Sequence, residues 1–262
     1  MPELPEVETV VRSLRPAIVG RRIVNAEFGT SRVMRGMPPD TSDILRGQQI
    51  LAVERYGKFI AIRLSAGCLV VHLGMTGKLL LDSETTKWTH AVLTLDQGSV
   101  LYDDPRQFGR IEYGPDIPAR VAGLGPEPLE VTVADFGNRL KERRSPIKAV
   151  LLNQAVVRGV GNIYADEALF RAGVRPKKLA ASLKKDAVAR LHAAMQEVLR
   201  EAIDSRGSSV SNYVDADGQK GSFQNAHRVY QRTGEPCVTC GTAICKIIVA
   251  QRSTHYCPTC QR

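Results

Sequence analysis

Nowhere does the chain hold an apolar run approaching the ~18 residues that a membrane-spanning helix needs. Its first residues, M-P-E-L-P-E-V-E, are acidic and broken by proline where a secretory leader would be basic and then apolar. Both absences point to an intracellular, cytoplasmic protein. Aromatic residues are scarce, 5% with a single tryptophan, and no basic amphipathic segment carries a strong aromatic anchor, which disfavours an anionic membrane as partner. With 22 glycines and 14 prolines near ordinary usage and no internal repeat, collagen-like, low-complexity and wholly disordered chains are excluded.

What is present is a globular composition, 43% apolar and 24% charged, in 262 residues, a length that favours two domains or one domain plus a module. The formal charge of +9 is unevenly spread. Residues 1–130 hold 15 basic and 16 acidic side chains, whereas residues 131–262 hold 21 and 11. A basic half is the footprint of a polyanion binder, because lysines and arginines that neutralise phosphates release condensed counterions. From charge alone, a solvated helix face fits equally well.

Four of the six cysteines fall as Cys237-x2-Cys240 and Cys257-x2-Cys260, with sixteen residues between the pairs. This is the spacing of a four-thiolate, tetrahedral Zn²⁺ site, each pair aiming two sulfurs at one ion and a β-hairpin returning the second pair. Disulfides are disfavoured without a secretion signal, and a redox C-x-x-C motif would not be duplicated at this spacing. Cys68 reads as a buried small hydrophobe and Cys245 as a strand residue. Between the pairs, 244–250 reads as one strand and His255-Tyr256 as the start of its partner, leaving 251–254 at the tip with Arg252. Such a hairpin is either a stiff probe or a purely structural ribbon.

Strand patterns occupy 22–28, 49–56, 58–64, 68–73, 91–95, 99–103 and 109–113. Residues 114–128, crowded with glycine and proline, form the expected linker. Helical patterns follow at 133–143, 146–152, 162–172 and 183–205, and the Gly/Ser/Asp-rich stretch 206–224 reads as a long surface loop, a linker or a mobile lid.

At the N-terminus, removal of Met1 would leave Pro2 as a free secondary amine. At a reference pKa of ~8, roughly a tenth of such an amine is neutral and nucleophilic at pH 7. Were Pro2 to open a helix, Glu3 and Glu6 would lie on neighbouring turns near it; carboxylates there are also ordinary helix-capping charges.

Six segments shift the balance: P-E-L-P-E-V-E (2–8), the lysine of Y-G-K at Lys58, H-L-G-M-T-G (72–77), D-P-R-Q-F-G (104–109), G-V-G-N-I-Y (159–164) and the terminal cysteine ribbon. In this order, over the whole chain, they resemble the formamidopyrimidine-DNA glycosylase family. The resemblance implies an α+β protein: an N-terminal β-sandwich (1–128), a helix-two-turn-helix bundle with a lesion-capping loop (129–224) and a β-hairpin zinc ribbon (225–262) that holds one structural Zn²⁺. DNA would lie in a basic cleft between domains. It further implies a bifunctional glycosylase and AP lyase excising 8-oxoguanine and formamidopyrimidines from damaged duplex DNA, working as a cytoplasmic, nucleoid-associated monomer.

The same resemblance makes Pro2 the nucleophile, Glu3 the acid on the sugar ring oxygen, Glu6 a supporting carboxylate and Lys58 a phosphate-binding lysine of the catalytic site. Met75, Arg106 and Phe108 would fill the gap left by a flipped base. Gln107 stands where a second arginine is common. His72, His90, Arg110, Asn162, Tyr230 and Arg252 would contact DNA, and a lid at 209–223 would close over the base. Two other functions remain open: an endonuclease VIII-like enzyme for oxidised pyrimidines, and a zinc-ribbon DNA binder without catalysis.

Overall fold

The computed structural model describes every residue except Thr30, Ser31, Arg35, Gly36 and Ser211; the last, inside the expected lid, lies outside the described residues. The chain forms two compact units, Met1–Gly123 with Ser205–Ser222, and Leu124–Asp204 with Phe223–Arg262. Residues 205–222, expected with the helices, group by compactness with the first unit, and the finger groups with the second. Tyr213 and Ala216 are buried in the N-terminal core, so 205–222 belongs there, and the finger's Cys237, Ile244 and Cys257 share an apolar cluster with Phe170 of the helical unit.

In the first unit, helix α1 (Leu4–Ile18) carries apolar residues at helical spacing, and Val7, Val10, Val11, Leu14 and Ile18 are all buried. It begins after Glu3, which with Glu6 forms a capping box, so Pro2 stands just outside the helix. Strands β1 (Ile23–Phe28), β2 (Ile50–Tyr56), β3 (Phe59–Leu64), β4 (Cys68–His72), β5 (Lys78–Leu81), β6 (Thr89–Leu95), β7 (Ser99–Asp103) and β8 (Arg110–Gly114) follow, with a short helix α2 (Thr41–Leu45) between β1 and β2. They make two antiparallel four-stranded sheets, β1-β6-β7-β5 and β2-β3-β4-β8. One core joins α1 to both, with Ile60, Ile62, Leu69 and Val71 from one sheet and Leu79, Leu93, Val100 and Tyr102 from the other.

Strand β5 was absent from the sequence pattern because K-L-L-L lacks alternation. The expected linker holds a one-turn helix, α3 (Ala119–Ala122). The second unit contains α4 (Val133–Lys141), α5 (Ile147–Leu152), α6 (Asn162–Arg171) and α7 (Lys185–Asp204), then the antiparallel pair β9 (Cys245–Val249) and β10 (Arg252–Tyr256).

The hairpin turn is tighter than its sequence suggests. Arg252 pairs with Val249, leaving only Ala250 and Gln251 in the turn, both left-handed at φ 49° and 58°. That is the type I′ geometry that favours Asn-Gly, and Ala-Gln gives no such signal. Arg252 is therefore the first residue of β10 and not part of a four-residue tip. Replacing Ala250-Gln251 with Asn-Gly should relieve the left-handed strain and stabilise the finger by about 1 kcal/mol. Thermal melting of the zinc-loaded chain checks this, and a fall in stability contradicts the turn assignment.

Candidate active site and metal centre

Around the amino terminus, Pro2 is buried, and Glu3, Glu6 and Lys58 are 3%, 2% and 8% exposed, an unusual density of buried charge. Glu6 ties three segments together. Its Oε2 accepts from the Glu3 backbone N–H at 2.8 Å and its Oε1 from the Ser208 N–H at 2.7 Å, while its own carbonyl accepts from the Tyr213 hydroxyl at 3.1 Å. Gly207, just before Ser208, has φ +80°, and a Cβ there would lie 2.9 Å from Glu6 Oε1, so only glycine suits this approach.

The expected mobile surface loop is thus partly interior. Its Asp215 is fully buried and ion-paired to Arg206; Ala216 donates to Ser13 Oγ at 3.2 Å and accepts from Leu81 at 2.9 Å. Residues 217–220 form its exposed tip.

Lys58 sits in the two-residue turn between β2 and β3, where Gly57 at φ +59° supplies the left-handed first position of a type II′ hairpin. The terminal amine, here that of Met1, has its pKa lowered by burial first; Lys58 and Arg106 lower it further, against the raising effect of Glu3 and Glu6. A terminal amine held below its ordinary pKa is a better nucleophile at neutral pH.

Two loops beside the sheets carry the other candidates. Asp104, fully buried, accepts from Thr76 Oγ1 at 2.5 Å, from the Gly109 N–H at 2.8 Å and from the Arg106 N–H at 3.3 Å. A Cβ on Gly74 would fall 2.5 Å from backbone atoms of Phe108 and Gly109, so loops 73–77 and 104–109 touch backbone to backbone. Locked in this way, they leave Met75 and Phe108 exposed at 42% and 56%, with the Arg106 guanidinium 4.6 Å from the Phe108 ring centre. Exposed apolar side chains on a braced loop are what a wedge needs. Gln107 adopts φ +53° within this turn.

The buried His90 ring places Nε2 2.9 Å from the Asp104 carbonyl and so bears on the same turn. His72 accepts from the Gly74 N–H through Nδ1 at 3.2 Å, and burial, with Lys58 and Arg120 nearby, pushes its pKa down to about 4, so it is neutral. Arg110 lies opposite it on β8 and pairs with Glu112.

In the second unit, Asn162 opens α6 and gives one side-chain N–H to the Ser253 carbonyl at 3.0 Å. Lys148, 0% exposed, lies 2.7 Å from the equally buried Asp166 and donates to Ser253 O and Thr254 Oγ1 at 2.8 and 2.9 Å. Asp166 accepts in turn from the His255 N–H at 2.9 Å. Helices α5 and α6 therefore grip β10 just beyond Arg252, which is itself exposed. Glu167 accepts from the N–H groups of Arg228, Val229 and Tyr230 at 2.9–3.0 Å and so fixes the Tyr230 backbone. The sequence reading missed Lys148, Asp166, Glu167 and Asp104. Only Asp104 lay within a quoted motif.

The sulfurs of Cys237, Cys240, Cys257 and Cys260 all lie within 4.8 Å of one another, with Cys237–Cys260 at 3.9 Å and Cys240–Cys257 at 3.5 Å. A tetrahedron with Zn–S of ~2.3 Å has edges of about 3.8 Å, so the set fits one Zn²⁺. Cys68 is buried, its thiol pKa pushed up to about 11 by burial, and Cys245 stands outside the cluster.

Comparison with known proteins follows the same segments. Residues 1–111 match the formamidopyrimidine-DNA glycosylase N-terminal domain, 124–214 the formamidopyrimidine-DNA glycosylase H2TH domain, and 234–262 the zinc finger found in FPG and IleRS. A formamidopyrimidine-DNA glycosylase of Solibacter usitatus is 58% identical with both chains fully covered. Among solved structures, the MutM (Fpg) protein of Thermus thermophilus is similar at TM-score 0.90 and 43% identity, covering 99% of this chain and 98% of the other. A Lactococcus lactis Fpg variant in complex with a Fapy-dG containing DNA is similar at TM-score 0.91 and 36% identity over the whole of both chains.

The finger has little apolar core, so the metal should carry its folding. Freshly purified protein should contain one zinc per chain by metal analysis, and Cys240→Ser should melt the hairpin while the β-sandwich keeps its own transition. Absence of zinc, or an intact finger after chelation, contradicts this.

Proposed function

Since the chain belongs to the formamidopyrimidine-DNA glycosylase family, zinc-finger DNA repair enzymes with glycosylase and AP lyase activity, we propose that it excises oxidised purines, 8-oxoguanine and formamidopyrimidines, from duplex DNA through the amine of Pro2. The observation that supports this reading is the terminal amine, that of Met1 and one residue from the Pro2 nitrogen, lowered in pKa by burial with Glu3, Glu6, Lys58 and Arg106 acting on it. Removal of Met1 turns the Pro2 nitrogen from an amide into a secondary amine in the same surroundings.

Chemistry then follows from one nitrogen. The neutral amine attacks C1′ of the damaged nucleoside, the bond from C1′ to the base breaks, and the base departs with its electron pair and takes up a proton. Glu3 gives a proton to the ring oxygen, the sugar opens, and an iminium joins Pro2 to C1′. The iminium acidifies the C2′ proton; its loss expels the 3′ phosphate, and a second elimination expels the 5′ phosphate. Lys58 holds a flanking phosphate. Glu6, with both oxygens engaged by backbone N–H groups, keeps the terminus in position.

Access to C1′ requires the nucleotide to leave the stack. Met75 and Phe108 take the vacated space and Arg106 addresses the orphaned base. His72, His90, Arg110, Asn162, Tyr230 and Arg252 serve the DNA-contacting surface, Arg252 as a phosphate contact without sequence preference. A single chain supplies every one of these groups, which supports action as a monomer. Neither the pyrimidine-specific nor the non-catalytic alternative gains support from relatives that carry the formamidopyrimidine glycosylase name.

The amine's surroundings set a test with a definite sign. Protonated Pro2 is inert, so single-turnover excision should rise with pH and level off once the amine is neutral, below the ordinary midpoint of ~8. Lys58 lowers the pKa of the Met1 amine and sits in the same buried cluster as Pro2, so Lys58→Met should move the midpoint to higher pH, besides slowing the reaction. An unchanged midpoint in Lys58→Met, measured on an 8-oxoguanine duplex, argues against the amine as the titrating nucleophile.

A further inference from the structure

A cleft of about 410 Å³ opens in the helical unit between α4, the turn at Ala180–Ser182 and the first turns of α7. Leu140, Ala180 and Val188 form its buried apolar floor, and Val133, 44% exposed, extends that surface at one end. None of the residues proposed for chemistry or DNA contact lines it.

Its rim is cationic. Lys141 and Lys185 line the cleft, and the Arg143 carbonyl accepts from the Ala181 N–H at 3.0 Å, which sets Arg143 and Arg144 beside the same turn. With Lys184 these are five exposed cations, against Asp135, Glu142 and Asp186. None of the five pairs with a carboxylate among the described residues. An apolar floor under a net basic rim is complementary to an amphipathic ligand with apolar side chains on one face and carboxylates beside them.

Nucleic acid satisfies only the rim. Phosphates would meet the lysines, but a phosphate backbone leaves the apolar floor uncovered, and no lining residue is aromatic to stack an unpaired base. A groove between two helices is also the shape that receives a short amphipathic helix. We propose that this cleft is a protein-docking site that takes an acidic amphipathic peptide segment of a partner protein, leaving the DNA-contacting groups free.

The test uses the full zinc-loaded chain labelled with ¹⁵N and a synthetic peptide of about twelve residues, built of Leu, Phe and Asp with the apolar residues at helical spacing. Chemical shifts should move in 133–141 and 180–189 and not around the finger. Binding should weaken about tenfold in the double variant Lys141→Glu, Lys185→Glu, and similarly in Val133→Asp, whose side chain is exposed enough to spare the fold. Excision from a lesion duplex should be unchanged in both. Loss of excision by the unmodified chain would count against the enzymatic reading and leave the docking result standing. Three outcomes overturn the docking site: no shifts in the cleft, equal binding of a peptide with Lys in place of Asp, or displacement of the peptide from these residues by undamaged duplex DNA.

Discussion

The carboxylate of Glu6 is the constraint on which the N-terminal unit depends. A buried charge is tolerated only when its oxygens are satisfied, and here they draw in the Glu3 N–H from the terminus and the Ser208 N–H from a segment some two hundred residues along the chain. One side chain thereby starts α1, fixes the direction in which the terminus leaves it, and closes residues 205–222 onto the sandwich core. Gly207 is required for the close approach, and Tyr213 seals it with a hydroxyl on the Glu6 carbonyl. A chain terminus is ordinarily among the most mobile parts of a protein; here a carboxylate locked on both oxygens holds the backbone at Glu3, next to the buried Pro2.

The helical unit solves a similar problem with a different device. Its finger has too small an apolar cluster to hold a hairpin alone, and four thiolates around one zinc supply the missing cohesion. Orientation comes separately, from Lys148 and Asp166. Desolvating that pair is unfavourable unless their remaining hydrogen-bonding capacity is used, and it is used on Ser253, Thr254 and His255 of the finger's second strand. Arg252 lies at the start of that strand, so its backbone is held from both ends, by the turn and by the ion pair.

Much of this was legible in the sequence, for identifiable reasons. Cysteine spacing announced the zinc site because four ligands to one ion leave little freedom in where they fall. The alternating strands and the helical pattern at 183–205 could be read because one face of each is buried. What could not be read depends on neighbours distant in sequence. Strand β5 has no alternation and is recognisable only by its pairing with β7. Residues 206–224 have the composition of a surface loop, yet Tyr213 and Ala216 are buried with hydrogen bonds to α1 and β5, and Asp215 is buried against Arg206. Lys148 sits in a helical pattern where a lysine ordinarily faces water, and nothing local to it reveals Asp166. Among the candidate site residues, those in the N-terminal motif and the two loops are brought together within one unit, and the reason, Asp104 and Glu6 acting as hubs, emerges only from the fold.

The central claim is that the nucleophile is the Pro2 nitrogen, and the most direct measurement is to reduce the enzyme–DNA intermediate with borohydride, digest it and map the adduct by mass spectrometry. The account predicts a single modified peptide beginning at Pro2, with the sugar remnant on its nitrogen and Met1 absent. An adduct on Lys58 or another lysine, or efficient trapping by a homogeneous chain that retains Met1, would contradict it.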